Sequence, residues 1–322
     1  MEGSILLAPA DKSGCGLYRV MRPGSAYGSI IDKRVICFGL AMPTYEWLEK
    51  NPVSMTITQR QTTPAQIAYW KELPLRFPKM KIVTDFDDLL WQPHPLSTFK
   101  PTREWIKGLD EITKVCTHIT VSTIPLKNEV EKRYRMPARL LPNMVPDDQF
   151  FPIHFREKGE KLHIVYMGSK THQADLEQII GAVSQTHNKY NWTFIGYCPP
   201  EIKSLVNYID WVPLTSYLMT VRGLKAHVGI APLIESKFNE CKSNIKLLEY
   251  GQIGLATIAS NVYPYKDSGT FLVNKPRAKE WLKYLGELED ETVRLENARQ
   301  AVLYAKSFSV KNREDDIIRA YM

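Results

Sequence analysis

The chain alternates short apolar runs with longer amphipathic ones, and it does so in two cycles separated by a stretch without any period. That alternation is the signature of parallel strands joined by crossover helices, because a strand covered on both faces reads as an apolar run and its crossover as a half-polar helix. In the first cycle residues 4–10, 34–40, 54–59, 81–86 and 117–122 are predicted strands and 63–73, 102–115 and 123–134 predicted helices, with a short strand ending at Leu141-Pro142-Asn143. The second cycle opens with a strand over 162–167 and continues with strands at 192–197, 208–212, 228–233, 256–260 and 271–273. Its helices are predicted over 172–187, 215–225 and 243–251, followed by a long charged region over 277–306. Residues 145–161 carry no sustained period and read as the linker. We therefore expect an α/β protein of two Rossmann-like domains facing across a cleft, over 1–150 and 151–309, with a C-terminal helix over 310–322 that could return to the first domain. A length of 322 residues suffices for two separate cores.

Composition narrows the function classes. No stretch approaches the ~18 apolar residues of a membrane span, and the first residues lack the basic and long apolar regions of a signal peptide, so a cytoplasmic location is expected. Five scattered cysteines contain no C-x-x-C pair, and the seven histidines have no ligand spacing; neither a disulfide framework nor a metal site is predicted. The formal charge of +7 is spread evenly over both halves, which weakens an electrostatic case for nucleic acid. Oligomeric state is not legible.

The segment from Phe238 to Asn261 is the most informative. If Ser243 caps the following helix, Lys242 and Lys246 stand four residues apart and Glu249 lies on the same face. A helix N-terminus with two lysines suits a diphosphate, and a carboxylate one turn on can accept ribose hydroxyls; the alternative is a solvated charged face. The Gly14-Cys15-Gly16 loop after the first strand would let backbone approach a phosphate, with Arg19 adding charge, or be a simple tight turn. Gly168-Ser169-Lys170-Thr171 occupies the equivalent turn of the second domain, with Lys170 a diphosphate ligand or a surface lysine, and His172 at the helix start a ligand or a packing residue. Asp85-Phe86-Asp87-Asp88 admits three readings: a D-x-D metal motif, a carboxylate that orients or deprotonates an acceptor hydroxyl, or a helix cap.

The string from Lys242 to Asn261 resembles the C-terminal signature of the large GT-B family of retaining glycosyltransferases that carry an E-x7-E motif. Gly14 to Arg19, Gln59-Arg60, Asp85 to Leu89, Leu141-Pro142-Asn143 and Gly168 to His172 follow in the family's order, so the resemblance spans nearly the whole chain. This set looks like compact bacterial and phage-encoded members. The resemblance implies a nucleotide-diphosphate sugar as donor and transfer to an acceptor hydroxyl with retention; no cofactor or metal is expected to be obligatory, because a helix N-terminus with Lys170, Lys242 and Lys246 can balance the leaving diphosphate. Its donor ligands would be Gly14, Gly16, Arg19, Gly168, Ser169, Lys170, His172, Lys242, Ser243, Lys246 and Glu249, and its catalytic candidates Asp87, Asp88 and Glu240. One departure stands out: the first acidic position of the motif is Cys241, so either Glu240 substitutes from one step earlier or that carboxylate is lost.

For the acceptor, DNA with hydroxymethylated pyrimidines is the leading candidate, with Trp91 to stack a flipped base and Lys132, Arg133 and Arg135 to hold phosphates. Polysaccharides and lipid-linked glycans are the alternatives. Outside transfer, a non-transferring nucleotide-sugar-binding protein and a sugar-nucleotide epimerase share the expected architecture.

Overall fold

A computed structural model describes residues 3–322, without the side chains of Leu214 and Thr215. Two six-stranded parallel sheets form. The first comprises β1 (Ser4–Ala8), β2 (Val35–Cys37), β3 (Val53–Gln59), β4 (Lys81–Phe86), β5 (His118–Val121) and β6 (Ala138–Leu140), in the order β2-β1-β3-β4-β5-β6. The second comprises β7 (His163–Met167), β8 (Asn191–Ile195), β9 (Asn207–Ile209), β10 (Val228–Ala231), β11 (Ala256–Ser260) and β12 (Phe271–Val273), ordered β12-β11-β10-β7-β8-β9. Strand order reverses between β1 and β3 and again between β7 and β10. Crevices open beyond the strand ends at such points, which is where ligands bind in open α/β sheets.

Both sheets are nearly continuous in apolar residues: Ile5, Leu6 and Leu7 in β1 and Ile164 to Met167 in β7 are all buried. Helices on both faces make this possible. Pro64–Arg76 begins with a full capping box between Thr63 and Gln66, and Ile124–Tyr134 is capped by Thr123 and closes on Arg135 in the left-handed region. The charged region expected as one helix is two, Ala278–Glu287 and Glu291–Ser307, because the Asp290 side chain caps the second. The predicted Gly14-Cys15-Gly16 loop is instead the first turn of a helical run that passes through a π-wound segment, Leu17–Met21, into Arg22–Ile30.

The chain crosses between the sheets at Val145 and returns at Ser309. There the passes are joined: the Val145 amide donates to the Phe308 carbonyl and the Val310 amide to the Val145 carbonyl, each at 3.0 Å. The last helix, Glu314–Tyr321, buries Ile317, Ala320 and Tyr321 in one cluster with Ile5, Leu7 and Val20. Among the described residues no helix is long and apolar enough to cross a membrane.

Candidate functional site

The helix that carries the signature runs Ile245–Ile253, with Asn244 at its N-cap, and ends at Gly254 in the left-handed conformation. Every residue from Lys246 to Ile253 is buried, so the solvated-face reading fails. The expected cap was wrong. Ser243 does not cap; its hydroxyl accepts from Asn143 Nδ2 at 2.8 Å across the domain boundary. Lys242 therefore lies in the turn before the helix, while Lys246 sits in its first turn, and the two are not a helical i,i+4 pair.

Lys246 Nζ donates to the Met167 carbonyl at the end of β7, at 2.8 Å. An ideal Cβ at Gly168 would lie 2.9 Å from that same nitrogen and 2.4 Å from the Tyr166 hydroxyl. A larger residue would have to push Lys246 Nζ and the Tyr166 ring aside, and the bare backbone of Gly168 lines the cleft. Glu249 is held by two tyrosines: Tyr18 OH donates to Oε1 at 3.0 Å and Tyr217 OH to Oε2 at 3.5 Å. Burial shifts both charged groups towards neutrality. It pushes the Glu249 carboxyl up to about 7 against the pull of Lys246, and the Lys246 ammonium down to about 8 against that of Glu249.

These groups line one cavity of about 290 Å³ at the C-terminal ends of both sheets. Gly14, Arg19, Gly168, Ser169, His172, Lys242, Ser243, Lys246 and Glu249 reach it from the predicted donor set, and Asp87 and Asp88 from the acceptor side. A Cβ at Gly14 would meet nothing within 4 Å, so packing does not require that glycine. Gly16 is packed away, since its Cβ would lie 2.0 Å from the Asp11 carbonyl. His172 donates Nδ1–H to Asp175, at 2.8 Å. Burial, with Lys246 adding to it, lowers the imidazole to about 3, so the ring is neutral and its Nε2 is a proton acceptor.

The acidic run divides by partner. Asp85 is wholly buried and bound by both Arg19 Nε at 3.0 Å and Nη2 at 2.7 Å. Arg19 also donates to the Leu141 carbonyl and Asn143 Oδ1, so its guanidinium is committed inwards and the expected phosphate contact is corrected. Asp87 receives both Nε and Nη2 of Arg60, a residue held at φ 51°. Burial works to raise Asp87, but that guanidinium outweighs it and holds the carboxyl low. Asp88 faces Lys242 Nζ at 3.8 Å, and there burial wins and raises the carboxyl. Asp85 and Asp87 are thus each paired with an arginine.

Several other expectations are also corrected. Lys170 is exposed and does not line the cavity, although Ser169, Thr171 and His172 around it do. Glu240 ends the Lys237–Glu240 helix and does not line the cavity. Cys241, at the missing acidic position, is fully buried among Phe86, Leu89 and Leu126 of the opposite domain. Packing has claimed that position. Trp91 packs edge-on against Phe86 and Tyr134, and Arg133 lies over its ring while pairing with Asp110. Lys132 and Arg135 are exposed on the same element, away from the cavity. The fold also joins His154, Glu160 and His227, which sequence spacing did not suggest. The His163 amide donates to His227 Nδ1 at 3.0 Å, so His227 Nε2 carries the proton and faces Glu160 rather than offering a lone pair.

No family model matches the chain, and neither does any curated protein sequence. Solved structures do. HepE from Anabaena, in complex with UDP and glucose, matches over 100% of both chains with a TM-score of 0.65 at 10% identity. Trehalose-6-phosphate synthase OtsA matches 82% of this chain and 71% of its own at 0.58 and 11% identity. The pneumococcal O-GlcNAc transferase GtfA, in complex with UDP and GlcNAc, matches 82% and 55% at 0.54 and 12%. The fold is GT-B. Within this GT-B chain, the residues that sequence reasoning missed are Tyr18, Arg60, Asn143 and Tyr217. Tyr18, Arg60 and Asn143 fell in recognised landmarks without a role; nothing in the sequence marks Tyr217, and Glu249, the partner of both tyrosines, is 231 and 32 positions distant from them.

Proposed function

We propose that this protein is a glycosyltransferase that binds a nucleotide-diphosphate sugar in its C-terminal domain and transfers the sugar to an acceptor hydroxyl entering from the N-terminal domain. The observation that carries this reading is the buried Lys246–Glu249 helix start, set against the bare backbone of Gly168 at the strand-order reversal of the second sheet. Helix dipole, Lys242 and Lys246 can stabilise a departing diphosphate, and Glu249 can accept ribose hydroxyls. Neutral His172 can accept a hydroxyl of the transferred sugar. Asp88, the acidic residue of the run without an arginine, is the acceptor-side group we propose. Retention of anomeric configuration is carried by the sequence resemblance.

Nothing in the geometry favours DNA as acceptor: Trp91 has Arg133 over its ring and does not line the cavity, and Lys132, Arg133 and Arg135 stand clear of it. The acceptor is therefore proposed only as a hydroxyl-bearing molecule. Calorimetry with UDP, ADP and GDP, followed by hydrolysis or transfer assays with the matching sugar nucleotides, tests the proposal. Absence of binding by all three would end it, whereas conversion of the donor to an epimer without acceptor would favour the epimerase alternative.

Two results are expected. Lys242→Ala and Lys246→Met should each weaken UDP binding about tenfold while leaving uridine nearly unaffected, because the partner is the phosphate. Equal losses for both ligands would assign the lysines to folding instead. Activity should also survive EDTA, since both carboxylates of the D-x-D pair are engaged by arginines. Loss with rescue by manganese would restore the metal reading.

A further inference from the structure

We propose that Tyr18 is an internal competitor for the donor, its hydroxyl occupying the Glu249 oxygen that a nucleotide ribose would take and strapping the two domains together until a donor displaces it. This rests on the donor-site reading above. Glu249 is 7% exposed and Tyr18 6%, and their hydrogen bond joins opposite walls of the cleft across 231 positions of sequence. Tyr217 reaches the other carboxylate oxygen from the same domain as Glu249, so it can stay in place whatever the domains do. Tyr18 cannot, because it belongs to the other half.

The local structure aims Tyr18 at this task. It lies in the π-wound segment Leu17–Met21, a wide turn that is rare within helices and frequent at functional sites. Arg19, its neighbour, is committed to Asp85 inside the domain. Arg22 covers the Tyr18 ring, its guanidinium carbon 4.5 Å from the centroid, and donates Nη1 to the Met144 carbonyl at 2.7 Å, next to the interdomain crossing. Ring and hydroxyl are thus held from both ends. A ribose hydroxyl brings Glu249 the same O–H donor that Tyr18 already supplies, so exchanging one for the other gains little at this atom. The donor must then be held by its remaining contacts, and its apparent affinity is reduced by the fraction of molecules with the strap closed.

Tyr18→Phe keeps the ring and its Arg22 contact and removes only the competing hydroxyl. By calorimetry at pH 8, where Glu249 is ionised, the variant is expected to bind UDP about fivefold tighter than the wild type, with uridine gaining by the same factor. Equal or weaker binding overturns the strap. A Glu249→Ala control separates the two ideas: if it binds UDP as well as the wild type, the donor-site reading itself has failed, whereas loss of binding there with no gain in Tyr18→Phe removes the strap alone. Hydrogen exchange on the unmodified protein gives a readout independent of the variant. Saturating UDP should accelerate exchange across Leu17–Met21 as the strap lets go, and slower exchange there would mean that Tyr18 joins the ligand rather than yielding to it.

Discussion

Arg19→Met is expected to destabilise the N-terminal domain by about 3–5 kcal/mol, because it leaves the Asp85 carboxylate buried without its cation. Both groups are almost wholly inaccessible, and Arg19 spends its donors on Asp85, Leu141 and Asn143 at once. Thr120 supplies one further bond to Asp85, at 2.7 Å, which cannot replace a charge. In urea the first unfolding transition should move to lower denaturant. The loss should shrink in acid, where an unpaired Asp85 can protonate and enter the fold neutral. Replacing both partners, Arg19→Met with Asp85→Leu, should recover much of the stability. The folded fraction of Arg19→Met should bind UDP as the wild type does. A variant that folds normally yet loses UDP would return Arg19 to the ligand set.

Glu249→Ala is the second large effect, with UDP affinity expected to fall about 100-fold while the melting temperature without ligand holds or rises. The carboxyl sits at about 7 because of burial, so the folded protein keeps a charge it would ionise more readily in water. Removing that group relieves a desolvation cost that offsets the loss of the Tyr18 and Tyr217 hydrogen bonds, so the fold should hold. The same burial gives a pH profile. Affinity should rise as Glu249 ionises above about 7, and fall as Lys246 loses its proton above about 8, leaving a narrow optimum between them. A flat profile from pH 6 to 9 would show that neither group meets the ligand. Unchanged UDP affinity in Glu249→Ala would sink the assignment outright.

Much of this fold was legible because it depends on short-range pattern. The strands Lys81–Phe86, Ala256–Ser260 and Phe271–Val273 lie where their apolar runs predicted, and helices such as Ile124–Tyr134 begin at the Thr caps visible in sequence. The helix Tyr45–Lys50 escaped notice because a six-residue segment has too few turns to show a period. Site residues were legible only where they lie along one segment, as with Lys246 and Glu249. Partners supplied by the opposite domain carry no local signal: Tyr18 to Glu249, Asn143 to Ser243 and Thr123 to the Cys241 carbonyl are bonds between positions 100 or more apart. The misplacement of Arg19 has the same origin. A basic residue after a glycine turn looks like an anion ligand until the fold reveals a buried aspartate beside it.

The double crossing at Val145 and Ser309 has a mechanical consequence. One connecting chain would let the halves swivel about every axis, and two well-separated chains would lock them. Here both passes run side by side and are stitched together by a pair of backbone hydrogen bonds, so they can act as the pins of one hinge. Twisting would have to break the stitches, whereas opening needs only a bend along a single line. A bend along that line would return the same two walls to register, so that a ligand seated on one wall would meet its partner on the other without a search.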